Sequence, residues 1–227
     1  MILFLLLSGC AASKTYKLLA DSELEITVCQ REGRSDGPVI YVVGGTHGDE
    51  IAGWEAAIEL RQSEIEAGTL YIAAPLNAYG AEHNQRKTRE ERDINRNFPG
   101  APDGCDAEQI AWAVYQDIQD KQPNLVLDLH EAHPDNGSRD ALGNSIICCD
   151  VQSVGDLILD LLEHIEPLTL YGSPPAGSLN RVVSEELNIP VVTIETDRGE
   201  ALEVRVQKQL DAVQFILDWY AAKEESS

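Results

Sequence analysis

Short apolar runs alternate along this chain with segments whose apolar residues recur at helical spacing. The apolar runs, each bounded by turn residues and long enough for a buried strand, fall at residues 39–43, 70–74, 125–130, 145–149 and 191–195. Helical spacing follows the first of them and continues at residues 106–120, 154–165 and 178–187. This alternation predicts an α/β fold with a mixed, largely parallel sheet.

Three further segments complete the predicted architecture. Residues 16–31 suit an edge hairpin, and the polar stretch 77–102 suits a loop too long to serve as a mere connection. The helix after the first buried strand is expected to bury a face marked by Ile51, Trp54, Ile58 and Ile65. The last helix is expected to bury Val206, Leu210, Val213, Leu217 and Tyr220.

Length and composition favour a single domain. The chain has 227 residues, of which 43% are hydrophobic and 25% charged, which suits one globular domain over residues 11–223 followed by a polar tail at 224–227. Its 39 acidic and 17 basic residues give a net charge of −22. Such a charge repels nucleic acid phosphates and anionic lipid surfaces, so neither is an expected partner.

The first ten residues resemble a bacterial lipoprotein signal, in which a cysteine is lipidated and the preceding peptide is removed. They form a short apolar run that ends in Leu-Ser-Gly-Cys, too short to span a bilayer as a helix. On this interpretation Cys10 carries a lipid anchor and the protein lies in the cell envelope or periplasm. The alternative is an apolar first strand and a cytoplasmic protein.

The remaining cysteines lack the pairing expected of a zinc ribbon. They stand at Cys29, Cys105, Cys148 and Cys149, with no Cys-x-x-Cys spacing. One disulfide is allowed if the chain is exported. For Cys148 and Cys149, which lie in an apolar stretch, a role as small buried hydrophobes is the better interpretation.

Chemically versatile side chains fall at the predicted ends of strands. His47, His130 and Glu195 all occupy such positions, where ligands of open α/β sheets bind. His47, Glu50 and His130 together offer two imidazoles and a carboxylate, which is the ligand set of a catalytic zinc with its fourth position left to water. Taken alone, His47-x-x-Glu50 is weak evidence, because an ordinary turn has the same spacing.

Three motifs, taken in order, strengthen this hypothesis. Residues 45–50 read Gly-Thr-His-Gly-Asp-Glu, residues 93–99 read Asp-Ile-Asn-Arg-Asn-Phe-Pro, and residues 128–130 read Asp-Leu-His. In this combination and order the chain resembles the zinc carboxypeptidase superfamily, over roughly residues 39–195. That superfamily includes carboxypeptidases, murein tripeptide amidase and the succinylglutamate desuccinylase/aspartoacylase group. The resemblance implies a three-layer α/β/α sandwich with one zinc ion per chain.

The resemblance also implies roles for individual residues around the metal. His47, Glu50 and His130 match the zinc ligands of the superfamily. Asp93 matches the aspartate that accepts a hydrogen bond from the other ring nitrogen of the first histidine, which fixes its tautomer. His133 would be a further histidine in a loop, because the three ligands are already supplied.

Substrate contacts and catalysis are implied in the same way. Asn95 and Arg96 match the pair that holds a substrate carboxylate, and Arg86 matches the arginine that polarises the scissile carbonyl. Arg89 is the alternative to Arg86, because both lie in a run of charges that also suits a solvated loop. Glu195 matches the general base, and a carboxylate among branched aliphatic residues is costly unless it is paired or functional.

The resemblance leaves the cleaved bond open. The seven-residue step from Arg86 to Asp93 and the short stretch after Glu195 resemble carboxypeptidases and the murein amidase, whereas Glu131 and Ala132 after His130 resemble the deacylases. We expect a peptide or murein-type amide near a free carboxylate, with an N-acyl amino acid as the alternative. A non-catalytic zinc-binding module is less favoured. A serine or cysteine hydrolase is discounted, since no cysteine stands near a strand-end histidine.

Overall fold

The structure is a computed structural model that describes residues 13–134, 141–149, 152–165 and 168–224. The predicted signal at residues 1–10, with the proposed anchor at Cys10, lies outside these residues, and so does most of the predicted tail. Among the described residues, no helix combines the length and the apolar character needed to cross a bilayer.

One mixed sheet of eight strands forms the centre of the molecule. The strands are β1 Ser13–Leu18, β2 Ile26–Glu32, β3 Ser35–Gly44, β4 Ala67–Ala73, β5 Leu125–Ala132, β6 Ser145–Cys148, β7 Thr169–Tyr171 and β8 Val191–Asp197. Their order across the sheet is β1-β2-β4-β3-β5-β8-β6-β7. β1 and β2 form the predicted antiparallel edge hairpin, and β6 runs antiparallel to β8.

Helices cover both faces of this sheet. They are α1 Ile51–Leu60, α2 Ala78–His83, α3 Asp106–Lys121, α4 Gly155–His164, α5 Leu179–Val182 and α6 Leu202–Glu224. α1, α4 and α6 contribute to one apolar cluster with the strands, and α3 and α5 contribute to a second. The predicted three-layer α/β/α sandwich with a largely parallel sheet is therefore confirmed.

The buried face of α1 differs from the prediction. Ile58 is 36% exposed, and Ile65 is buried but lies beyond the end of the helix. The helix instead buries Ala52, Gly53, Ala56, Ala57 and Leu60. A Cβ atom on Gly53 would lie 2.5 Å from the carbonyl oxygen of Leu129. Small residues form the contact because α1 lies directly against β5, at a distance that large side chains would prevent.

Two other segments differ in detail from the prediction. The stretch at residues 77–102 contains α2 and a 3₁₀ turn at Ile94–Arg96. The predicted helix at residues 178–187 consists of α5 followed by a π-helical turn at Val183–Leu187. The short elements within residues 77–102 carry little periodic signal, so a pattern of apolar spacing does not find them.

The centre of the sheet brings the candidate site residues to one edge. β3, β5 and β8 are parallel neighbours, so their carboxyl ends lie side by side. His130 on β5 pairs in register with Glu195 on β8. His47 lies in the turn between β3 and α1, and Glu50 directly precedes α1.

Candidate active site

Two imidazoles and one carboxylate converge at this edge of the sheet. Oε1 of Glu50 lies 2.7 Å from Nδ1 of His47, and its Oε2 lies 2.6 Å from Nδ1 of His130. All three side chains are buried. One donor atom from each residue can be chosen so that the three lie within 4.8 Å of one another. The three residues that the sequence names as ligands therefore meet at one point.

The orientation of both rings suits a zinc ion. Each histidine turns Nδ1 toward Glu50, while its Nε2 faces a different carboxylate. Nε2 of His47 lies 3.0 Å from Oδ1 of Asp93, and Nε2 of His130 lies 3.0 Å from Oδ2 of Asp128. A carboxylate on the far nitrogen keeps the proton there and leaves Nδ1 as a donor for a metal. Two nitrogens and a carboxylate oxygen are a common set for catalytic zinc.

The charges within this cluster shift the proton affinities of its members. Burial lowers the pKa of His47, but the charge of Glu50 and the hydrogen bonds with Asp93 and Glu50 outweigh burial, so that the pKa is raised. Burial also opposes the charged form of His130, yet Asp128 and Glu50 raise its pKa well above the ordinary value. Burial raises the pKa of Glu50, but the two histidines bring it well below its usual range. The carboxylate therefore stays charged, ready to bind a cation.

Asp93 lies where the resemblance places it. Its side chain accepts a hydrogen bond from the backbone N–H of Asn95 and also contacts Arg86, with 3.2 Å between Oδ2 and Nη2 of the arginine. Burial opposes its charge, but the hydrogen bond with His47 and the charges of His47 and Arg86 lower the pKa of the carboxyl group. Asp93 thus links His47 to Arg86.

Asp128 is the equivalent partner of His130, a role that was not predicted from the sequence. It is fully buried on β5. The signal was present, because residues two apart on a strand share a face, and Asp128 stands two before His130. It was obscured by the apolar run around it, which indicated only a buried strand.

Arg86 forms part of one wall of the site. Nη1 of Arg86 lies 3.0 Å from Oε1 of Glu50, and Arg86 lines the cleft. Arg89, the alternative, instead forms an ion pair with Glu23 at 2.6 Å and lies over the ring of Tyr79. Arg86 therefore lies beside the cluster formed by His47, Glu50 and His130, whereas Arg89 faces another part of the surface.

Asn95 and Arg96 lie beside this wall. Nδ2 of Asn95 is 3.3 Å from Nε2 of His130, and its Oδ1 accepts a hydrogen bond from the backbone N–H of Leu179. Arg96 is exposed, lines the cleft, and donates a hydrogen bond to the backbone oxygen of Asn95. Their predicted contact with a substrate carboxylate stays a prediction. The guanidinium of Arg96 is accessible for it.

Glu195 lies on β8, beside His130. Its Oε2 is buried and has no hydrogen-bond partner among the residues that the structure describes. Burial is the main cause that raises the pKa of Glu195 to about 7; His130 acts against it and lowers the pKa, whereas the charge of Glu50 raises it further. An unpartnered carboxylate next to a metal-binding cluster is a candidate for proton transfer near neutral pH.

The site opens into a cleft with a volume of about 990 Å³. His133 lines it but does not join the metal cluster. Arg198 also lines it and forms an ion pair with Asp49 at 3.1 Å. Asp197 instead accepts a hydrogen bond from the backbone N–H of Gly199, which supports a turn. Of Asp197 and Arg198, Arg198 is therefore the one that lines the cleft.

Residues 36–220 match the family model of the succinylglutamate desuccinylase/aspartoacylase catalytic domain. The chain belongs to this family. The match confirms the expected superfamily and falls in the deacylase branch, which was the alternative predicted from the sequence.

Individual relatives agree with this family assignment. Over 102 residues the chain is 32% identical to N-alpha-acetyl-L-2,4-diaminobutyric acid deacetylase of Halomonas elongata. The aligned part covers 43% of this chain and 29% of that protein, so the chain spans less than a third of its curated relative.

Solved structures share the fold of this family member. A succinylglutamate desuccinylase from Silicibacter has a TM-score of 0.72 at 16% identity, with 93% of this chain and 67% of that chain covered. Helicobacter pylori Csd4, a D,L-carboxypeptidase, has a TM-score of 0.69 at 18% identity, with 82% and 51% covered. At these identities the likeness establishes the fold alone.

Proposed function

We propose that this chain is a zinc-dependent hydrolase that cleaves the amide bond of an N-acyl amino acid. One observation carries the proposal: His47, Glu50 and His130 converge at the base of an open cleft, and the unpartnered carboxylate of Glu195 stands beside them. The family match supports amide hydrolysis as the reaction.

Each residue of the site has a task in this reaction. A zinc ion held by the three ligands would lower the pKa of a water molecule toward about 7 and polarise the scissile carbonyl. Glu195 takes the proton of the attacking water and later delivers it to the leaving amine. Arg86 stabilises the negative charge that develops on the carbonyl oxygen. Asp93 and Asp128 hold the imidazole rings in place.

The carboxylate of the substrate is assigned to Arg96. A guanidinium group binds a carboxylate through two parallel hydrogen bonds, and Arg96 is exposed toward the cleft. Binding there fixes the carboxylate of the amino acid product. The family match and the deacetylase relative support an acyl group, rather than a peptide, on the other side of the bond.

A small peptide or murein fragment is the second candidate substrate. The seven-residue step from Arg86 to Asp93 resembles peptidases of the superfamily, and the cleft, at about 990 Å³, has room for more than an acetyl group. The cell-envelope location predicted from residues 1–10 accords with such a substrate and stays a prediction. Incorporation of labelled fatty acid, compared with Cys10→Ala, would test the anchor.

Metal content and a substrate panel test the proposal together. We expect the purified chain to bind about one zinc ion, to lose activity with a chelator and to regain it with zinc. The panel contains N-acetyl and N-succinyl amino acids, dipeptides with a free carboxyl terminus, and a murein tripeptide. Release of an amino acid from the acylated substrates supports the deacylase. Cleavage of the peptides alone favours the second candidate, and zinc binding without any turnover indicates the non-catalytic module.

A further inference from the structure

Helix α1 begins without a cap from its own first residue. Glu50 occupies the N-cap position, but its side chain makes no capping hydrogen bond. An N-cap side chain ordinarily accepts a hydrogen bond from one of the first N–H groups of the helix. The carboxylate of Glu50 instead lies between His47 and His130. Because both oxygens of Glu50 face the histidines, a side-chain acceptor for the first N–H groups of α1 has to come from another residue.

Glu131 on β5 supplies that cap. Its Oε2 accepts a hydrogen bond from the backbone N–H of Ala52 at 2.9 Å, in the first turn of α1. In the opposite direction, the backbone N–H of Glu131 donates to Oε2 of Glu50 at 3.0 Å. Glu131 directly follows His130 in the chain. One residue thus fixes the start of α1, the carboxylate of Glu50 and the end of β5 relative to one another.

Helix α6 holds this arrangement from behind. Nη1 of Arg205 forms an ion pair with Oε1 of Glu131, whose side chain is completely buried. Nε2 of Gln209, also buried, donates to the backbone oxygen of His130 at 2.7 Å. The arginine compensates the buried charge of Glu131, which would otherwise strongly disfavour the folded state. Two side chains of α6 therefore contact Glu131 and the backbone of His130.

We propose that Glu131 is a positioning residue of the metal centre. Arg205 and Gln209 of α6 hold Glu131 and the backbone of His130 in place. Glu131 caps α1 in place of Glu50, which leaves the Glu50 carboxylate available to the metal and sets its distance from His130. The inference rests on the proposed function only in that the cluster binds zinc.

Metal binding without substrate tests this role. The variant Glu131→Gln keeps an oxygen that can accept from Ala52 but loses the charge opposite Arg205. Asp117→Asn is the matched control, because Asp117 is also a buried carboxylate and holds Tyr16 and Tyr41 at 2.6 and 2.7 Å, away from the residues that line the cleft. The readouts are the zinc dissociation constant, from competition with a chelator, and the visible spectrum of the cobalt-substituted protein.

We expect Glu131→Gln to weaken zinc binding by about 10- to 100-fold, as is typical when a group that orients metal ligands is lost. Its cobalt spectrum should differ from that of the parent, because the ligand geometry changes. Asp117→Asn should lower the stability of the metal-free protein while its zinc affinity and cobalt spectrum stay as in the parent. If Glu131→Gln behaves like this control, Glu131 is merely structural and the inference is overturned.

A second variant keeps the test decisive if Glu131→Gln does not fold. Gln209→Met keeps the side-chain volume and removes the hydrogen bond to the carbonyl of His130. An unchanged zinc dissociation constant would then overturn the role proposed for the two α6 residues. A parent protein that binds zinc but hydrolyses no amide would refute the proposed function and leave this inference standing. A parent that binds neither zinc nor cobalt would refute both.

Discussion

Oδ2 of Asp128 lies 3.0 Å from Nε2 of His130, two residues further along the same strand. Because side chains two apart on a strand share a face, β5 delivers the histidine and the carboxylate that orients it together. Asp93 contacts His47 in the same way, but from a loop. The two imidazoles are thus held by equivalent contacts that come from different parts of the chain.

The first prediction concerns Asp128→Asn. An amide oxygen can still accept the hydrogen bond from His130, but without a negative charge it no longer strengthens the imidazole as a donor. We expect zinc affinity to fall by about tenfold or more. Asp120→Asn, on the exposed side of α3, is the control that should bind zinc as the parent does. Equal affinities for both variants would exclude a role for Asp128 in metal binding.

Much of this architecture could be predicted because its determinants are local. The strands are continuous apolar runs, and His47, His130 and Glu195 stand where those runs end. The parallel order of β3, β5 and β8 then brings the ends together. The three motifs, through their resemblance to the superfamily, therefore named the residues that cluster in the structure.

Other features depend on contacts between distant residues, and no local pattern reports them. The buried face of α1 is set by its close approach to β5, which favours Ala52 over Ile58. Glu131 and Arg205 are 74 positions apart and pair only because α6 packs behind the site. The resemblance favoured Arg86 over Arg89, but the contact of Arg86 with Glu50 and that of Arg89 with Glu23 are seen only in the fold.

The second prediction separates these two arginines. Arg86→Met should lower kcat by about 10²- to 10³-fold, the usual cost of losing one group that stabilises an oxyanion. Arg89→Met loses an exposed ion pair with Glu23 and should keep nearly full activity. Steady-state kinetics on the best substrate of the panel would measure both. Equal losses, or a larger loss for Arg89→Met, would contradict the assignment.

The third prediction concerns Glu195→Gln. A neutral amide cannot take a proton from water, so kcat should fall by about 10²- to 10⁴-fold. Zinc should still bind with a stoichiometry of about one, because Glu195 is not among the three clustered donors. Metal content and kcat measured on the same preparation provide the check. Turnover at the parental rate would show that another group acts as the base.

The fourth prediction concerns stability at alkaline pH. Burial, followed by the charge of Asp117, raises the pKa of Tyr41 well above its ordinary value of 10.0. The folded protein therefore keeps a phenol proton that the unfolded chain releases near pH 10. This contribution to stability is complete below pH 10 and is lost as the pH rises above it.

Tyr41→Phe tests this dependence. The variant should lower the free energy of unfolding by about 1 to 3 kcal/mol at pH 8, because Asp117 loses a buried partner. The difference from the parent should shrink between pH 10 and pH 11. Urea unfolding at several pH values measures it, with Tyr79→Phe as a control outside the cluster. A constant difference across this pH range would contradict the proposed cause.

The fifth prediction concerns Gly48, which lies between two of the candidate zinc ligands. A Cβ atom at this position would lie 1.9 Å from the carbonyl carbon of Gly80 and 2.2 Å from the backbone nitrogen of Ala81. Both are backbone atoms of α2, so no side-chain rotation relieves the clash. Gly48→Ala must therefore displace the loop that carries His47 and Glu50. We expect zinc affinity to fall and the free energy of unfolding to drop by about 1 to 3 kcal/mol.

Gly155→Ala, whose Cβ would meet nothing within 4 Å, should leave both unchanged or slightly raise stability. Zinc competition and urea unfolding on the two variants decide the matter, because parental zinc binding by Gly48→Ala would show that the loop adapts without moving the ligands.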